Sequence, residues 1–150
     1  MKSLLVVLFG ILFLPLWSQY SHKPEDIIGD WQTGSGKGRV RIEKNGSKYN
    51  GKLFWLKEPL DETGAPKKDI KNPDPSLRNR PKIGLQLLLG FVWDGDSYEE
   101  GTIYDPENGK TYSCTIEMLN ANTLSVRGYI GISLIGRTDL WKRVVYKKAD

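Results

Sequence analysis

The stretch YEEGTIYDPENGKTYSCTIEMLNANTLSVRGY, residues 98–129, decides the fold. Inside it, Tyr112, Cys114, Ile116 and Met118 alternate with Thr111, Ser113, Thr115 and Glu117. A period of two belongs to a strand with one face on a core. Asp105-Pro106-Glu107-Asn108-Gly109 and Asn120-Ala121-Asn122 consist of residues that preset or tolerate turn dihedrals. The stretch therefore predicts three strands, at 98–104, 110–118 and 123–129, joined by hairpin-length turns.

The same punctuation extends in both directions. Upstream, 85–93 reads as a strand that turns at Asp94-Gly95-Asp96, and 39–44 and 48–56 flank Asn45-Gly46. Asn-Gly is a strong hairpin signal, because both residues accept positive φ. A first strand at 28–33 and a last at about 137–146 complete the set. No segment holds ten or more residues of clean helical period, so the chain is all-β, with about eight antiparallel strands. Such a chain can pair its first strand with its last and leave no edge. A barrel of this size encloses room for side chains or one small ligand. A two-sheet sandwich is the alternative.

The ends favour closure. Gly29-Asp30-Trp31 opens the first strand, and Trp141-Lys142-Arg143 lies on the last. This resembles the lipocalin and fatty-acid-binding superfamily, in which a Gly-x-Trp begins the barrel and a basic residue of the final strand lies over that Trp. The resemblance implies that Gly29, Trp31, Trp141 and Arg143 are a structural closure device, with a cation on an aromatic face.

The N-terminus carries one Lys, an apolar run and a small residue before Gln19, the pattern of a secretory signal peptide. Cleavage is expected after Ser18, giving a signal peptide at 1–18, a tail at 19–27, one barrel domain at 28–146 and a tail at 147–150. With no Cys near the cleavage point, the expected product is periplasmic or secreted and not a lipoprotein. The apolar run is too short to span a bilayer comfortably, and the mature chain has no transmembrane segment. The formal charge of +4 is mild. KGRVRIEK, residues 37–44, reads as the solvated face of a strand in a protein with dispersed acids, so nucleic acid is not an expected partner.

Catalytic and metal chemistry find few residues. Cys114 is the sole cysteine, so no intrachain disulfide forms, and period two turns it inward as an inert small hydrophobe. His22, the sole histidine, lies in the tail, which removes Ser–His and Cys–His arrangements. DPENG and DGD offer hard oxygens, but without the spacing of a calcium loop, and ordinary turn chemistry accounts for them. No metal and no cofactor is expected. Paired acids such as Asp69 and Asp105 would be needed for an enzyme, and nothing in their spacing brings them together.

The remaining question is the polar segment at 57–82, with five prolines and charges throughout. A loop this long in a compact domain is usually functional. Asp74 followed by Pro75 reads as a helix cap and first helical position, with a single turn at 76–79. Leu77 is expected to pin that turn to the barrel, with Arg78 and Arg80 on different sides, each paired with a carboxylate. Within 85–93, Leu85, Leu87, Leu89, Phe91 and Trp93 oppose Leu88 and Val92, so both faces are apolar. The loop is expected to dock as a lid over this strand.

Three blocks then carry a second resemblance: D-x-x-NPDPxLRxRPxxGLxLLxGF at 69–91, GxIYDPENGKTY at 101–112 and LxVRGYIGxxLxGRTxxW at 124–141. They look like the exported bacterial family known as domain of unknown function 2147. The resemblance covers nearly the whole mature chain and implies a lipocalin-like barrel, without a reaction.

Asp69, Asn72, Arg78, Arg80, Tyr104, Asp105, Lys110 and Tyr112 are the candidate site residues. They read either as a polar network tying the loop to the hairpin, or as a rim at the barrel mouth gripping a carboxylate or phosphate. The expected function is a binding module for a small apolar or anionic ligand or a peptide, held at the mouth under the loop. The alternative is a filled barrel that acts as a structural or interaction protein of the envelope. An inward Cys114 yields a prediction: Cys114→Ser folds but loses about 1–3 kcal/mol, read as a lower melting temperature. Unchanged stability would place Cys114 outside the core.

Overall fold

A computed structural model describes residues 20–148; the expected signal peptide at 1–18 lies outside them. Eight antiparallel strands form one closed barrel in sequence order, which replaces the sandwich alternative. They are β1 (Gly29–Gln32), β2 (Gly38–Asn45), β3 (Lys48–Leu56), β4 (Gln86–Trp93), β5 (Tyr98–Asp105), β6 (Lys110–Asn120), β7 (Thr123–Tyr129) and β8 (Gly136–Arg143). The hairpin signals place their turns where expected. β8 ends at Arg143, three residues before the expected limit, and the backbone N–H of Val144 then donates to Asp30 of β1.

Strand alternation sends Trp31, Val40, Ile42, Leu53, Ile116, Leu124 and Trp141 inward, all buried. Cys114 is 1% exposed in the same core, and burial pushes its thiol up to about 12. Tyr98 and Phe91 are also fully buried. The space bounded by Ile27, Ile42, Tyr49, Leu88, Phe91 and Ile116 has a cavity volume of about 0 Å³. The barrel is a packed core and not a calyx.

β4 departs from simple alternation. Gly90 has φ 79°, and the β3–β4 register shifts on either side of Gly51. The irregularity resets the faces, so Leu88 points inward before Gly90 while Phe91 and Trp93 point inward after it. The face expected to unite Leu87, Leu89, Phe91 and Trp93 is therefore split, because a glycine in the left-handed region inserts an extra residue into the ladder. Leu87 and Leu89 lie on the outer face; Leu87 is covered and Leu89 is 53% exposed.

Three of the four expected closure residues, Gly29, Trp31 and Arg143, meet at the seam, whereas Trp141 packs in the core and donates to Asp139. β1 meets β8 through two residue pairs, Trp31 with Arg143 and Gln32 with Lys142. The Arg143 guanidinium lies 4.1 Å from the Trp31 ring centroid. It also donates to the carbonyls of Ala121 at 2.8 Å, Ile28 at 3.2 Å and Asp26 at 2.6 Å. Gly29, at φ 140°, is required here, since a Cβ would stand 2.8 Å from Nη1 of Arg143. Residues 24–27, expected within a tail, form a 3-10 turn (Pro24–Ile27) that closes this end of the barrel. Trp31 donates to the Ile27 carbonyl at 2.8 Å, Tyr98 donates to the Pro24 carbonyl at 2.9 Å, and Ile27 is fully buried. Pro24 followed by two acids was the available signal, a proline at the first helical position with negative charge in the first turn.

Arg143→Ala should cost about 2–3 kcal/mol, because it removes charge-assisted bonds to three carbonyls on two chain segments together with the cation–π contact. Arg143→Lys should recover only part of this, since a point charge cannot reproduce the fork. Urea denaturation of the three proteins checks it; equal midpoints would remove Arg143 from the closure.

Candidate functional site

Asp69, Asn72, Arg80 and Tyr104 come together as expected from the loop–hairpin network. The Tyr104 hydroxyl donates to Oδ1 of Asp69 at 2.6 Å. Oδ2 accepts from Asn72 at 2.9 Å and from Nε and Nη2 of Arg80 at 3.1 and 3.0 Å. Asp69 is fully buried, so its carboxylate is spent on these partners. Burial, and next the bond to Asp69, push the Tyr104 hydroxyl up to about 12.

The network sits outside the barrel wall and not across its mouth. Ile103 pairs with Tyr112 and Gly101 with Cys114 on the inner face, which turns Tyr104 outward. Leu87, on the outer face of β4 and yet 8% exposed, lies under the same cover. The loop is thus a strap over the upper part of β4 and β5, leaving Leu89 bare. Two more contacts fix it. Lys82, almost buried, donates to Glu107 at 2.6 Å and holds that carboxyl below its usual range. The Lys71 carbonyl packs on Gly109, where a Cβ would collide with it.

The other candidates separate. Asp74 caps the 3-10 turn (Pro75–Leu77) as expected, accepting from the Ser76 N–H at 2.9 Å. Leu77 does not pin it; it is 36% exposed, because Asp69 and Asn72 supply the anchor. Arg78 donates to the Asn72 carbonyl at 2.7 Å and takes no carboxylate partner among the described residues, since Arg80 occupies Asp69. Asp105 accepts from the Glu107 N–H within its own turn, so Asp69 and Asp105 form no acid pair. Lys110 is exposed, and Tyr112, half-buried and facing inward, accepts from Asn108 at 2.9 Å.

The true rim of the mouth comes from β8. Trp141 and Arg143 face inward, and alternation places Arg137 and Asp139 on the same face nearer the mouth, both exposed. Asp139 accepts from the Trp141 indole at 2.8 Å and the Gly34 N–H at 3.1 Å. The Arg137 guanidinium has no hydrogen-bond or ion-pair partner among the described residues. Sequence reasoning missed Arg137; the signal was its place four residues before Trp141, on the inward period. At the opposite end, a cleft of about 200 Å³ lies among Tyr20, Ser21, His22, Trp93, Gly95 and Asp96. His22 meets Trp93 edge-on there, with centroids 4.9 Å apart. No group of His, Cys, Asp and Glu among the described residues is arranged to hold a metal ion.

A family model described as "Uncharacterized protein conserved in bacteria (DUF2147)" matches residues 29–143. Among solved structures the chain is similar to protein HP1028 from the human pathogen Helicobacter pylori, described as belonging to the lipocalin family. The two share 28% identity and a TM-score of 0.69, over 79% of this chain and 82% of that one. No curated protein matches the chain.

The strap generates two predictions. Arg80→Ala should lose about 1–2 kcal/mol, because it unpairs a buried carboxylate through a half-exposed partner, whereas Arg78→Ala should lose under about 1. Thermal melting with limited proteolysis at 57–82 separates them; equal losses would contradict the assigned partners. Tyrosine in an unfolded chain ionises near 10. The stability contributed by the neutral Tyr104 hydroxyl is therefore complete below about pH 10 and declines as pH rises towards 12. The stability gap between the parent and Tyr104→Phe should shrink across that window, measured by chemical denaturation; a constant gap would remove the hydroxyl from the linkage.

Proposed function

We propose that this chain, which belongs to the bacterial family DUF2147, is an exported lipocalin-like barrel that binds at its open mouth and not in a central calyx. One observation carries this reading: the interior is filled while inward-facing Arg137 stands exposed and unpaired above it. A guanidinium with free donors over an apolar floor suits a small ligand with a carboxylate or phosphate head. Arg137 thus takes the gripping role expected of Arg78 and Arg80, which the strap uses internally. Export rests on the N-terminal pattern of charge, apolar run and small residue.

A second reading, an envelope interaction protein with a solid barrel, is favoured by the exposed aliphatic residues between β7 and β8. Native mass spectrometry of protein purified gently from the exported fraction decides between them. The first reading expects a stoichiometric extra mass that leaves on denaturation and is absent from Arg137→Ala, with the melting temperature unchanged. A bare chain at its calculated mass would reject the small ligand and leave the surface.

A further inference from the structure

The segment joining β7 to β8 carries Ile130, Ile132, Leu134 and Ile135, which are 57% to 85% exposed. No charged residue lies between Tyr129 and Arg137. Four large aliphatic side chains on one short loop form an apolar protrusion, unlike singly scattered surface apolar residues. The loop is also held in shape. Nε and Nη2 of Arg127 donate to the carbonyls of Ser133 at 2.7 Å and Leu134 at 3.4 Å, and Nη1 donates to Thr138 at 2.9 Å. The Ile135 N–H closes a turn onto the Ile132 carbonyl. Arg127 therefore satisfies, from behind, backbone carbonyls that the side chains carry outward.

This combination fits one environment. Backbone entering hydrocarbon must already be hydrogen-bonded, and this tip has made several of its bonds internally. At the same end of the barrel stand Arg137, Lys110 at the start of the neighbouring β6, and Lys37 in the turn that Gly34 fastens to Asp139; of the acids there, Asp139 is spent on Gly34 and Trp141, and Glu107 is paired with Lys82. Tyr129, at the root of the loop, is of the type favoured at a headgroup boundary. Apolar insertion ringed by cations is the chemistry of binding to an anionic bilayer surface. We infer that the Tyr129–Arg137 tip docks this barrel, mouth first, onto an anionic phospholipid membrane. No helix among the described residues is long and apolar enough to cross a membrane, and the contact needs none. The inference shares Arg137 with the proposed mouth site, and its test therefore reads the tip and Lys110 instead.

The test is flotation of the purified chain, lacking only residues 1–18, with vesicles of phosphatidylglycerol and phosphatidylethanolamine. Phosphatidylcholine vesicles serve as the neutral control. The chain should float with the anionic vesicles, and less so as salt rises. Ile132→Asp combined with Leu134→Asp should weaken binding by at least about tenfold, the worth of burying one such side chain. Its melting temperature should not change, because both residues are exposed in the free protein. Lys110→Glu should weaken binding by about fivefold or more at low salt. A fluorophore on Leu134→Cys should report an apolar environment with anionic vesicles alone. Failure of the parent to float, equal flotation of the double variant, or equal binding to phosphatidylcholine would each overturn the proposal. So would a soluble dimer that the double variant dissociates, which would assign the tip to a second copy.

Discussion

A barrel of this kind depends on one seam. Every other neighbouring pair of strands is joined by a chain connection, whereas β1 and β8 have none, and their backbone ladder is only two residue pairs long, extended by the bond from the Val144 N–H to the Asp30 carbonyl. Arg143 compensates for that short ladder. Its planar charge lies on Trp31, and its nitrogens reach three carbonyls on two separate stretches of chain, 26–28 and the turn at Ala121. Carbonyl partners do not titrate, and arginine keeps its proton throughout the accessible pH range, so the clasp is insensitive to conditions that disrupt carboxylate pairs. The seam also dictates what lies beneath it. Trp31 must have its indole satisfied, which draws in the Ile27 carbonyl, and with it a plug that seals that end of the barrel.

Sealing one end and filling the middle leave the opposite rim as the open end of the barrel. The aromatic residues account for the filling, since Trp31, Tyr49, Phe91, Tyr98 and Trp141 all enter the core. The strap over β4 and β5 is a separate construction. Its buried carboxylate faces the outer wall, where it orders a long polar segment without contributing to the mouth. Charge-rich loops of this kind invite a functional reading, yet here most of the chemistry is consumed in fixing the loop itself. The groups left available are fewer and lie elsewhere, in the β7–β8 connection and the start of β8.

Much of this was legible in the sequence, for identifiable reasons. Strand order and turns were readable because Asn45-Gly46, Asp94-Gly95 and Asp105-Pro106 have local dihedral demands that do not depend on the rest of the chain. The closure residues were readable because they stand at the two ends. The split of β4 was not, because Gly90 in a strand signals an irregularity without saying which residues change face. Four members of the strap network, Asp69, Asn72, Arg80 and Tyr104, were readable within a wider set, but their location was not. Whether Tyr104 faces in or out depends on register with β6, which no local pattern states. The apolar tip was hidden for the opposite reason: Ile130 and Ile132 alternate with Gly131 and Ser133 much as a strand would, and exposure shows only once the hairpin is folded.

Cys114 gives the packed core a further meaning. A lone thiol in any oxidising compartment can form a disulfide only between molecules, since its own chain offers no partner. At 1% exposure and with its proton held tightly, it is kept out of exchange for as long as the barrel stays closed. A covalent dimer would therefore be the chemical trace of a molecule that had opened. Such species would accumulate with each unfolding episode, and would record the history of a sample as well as its present state.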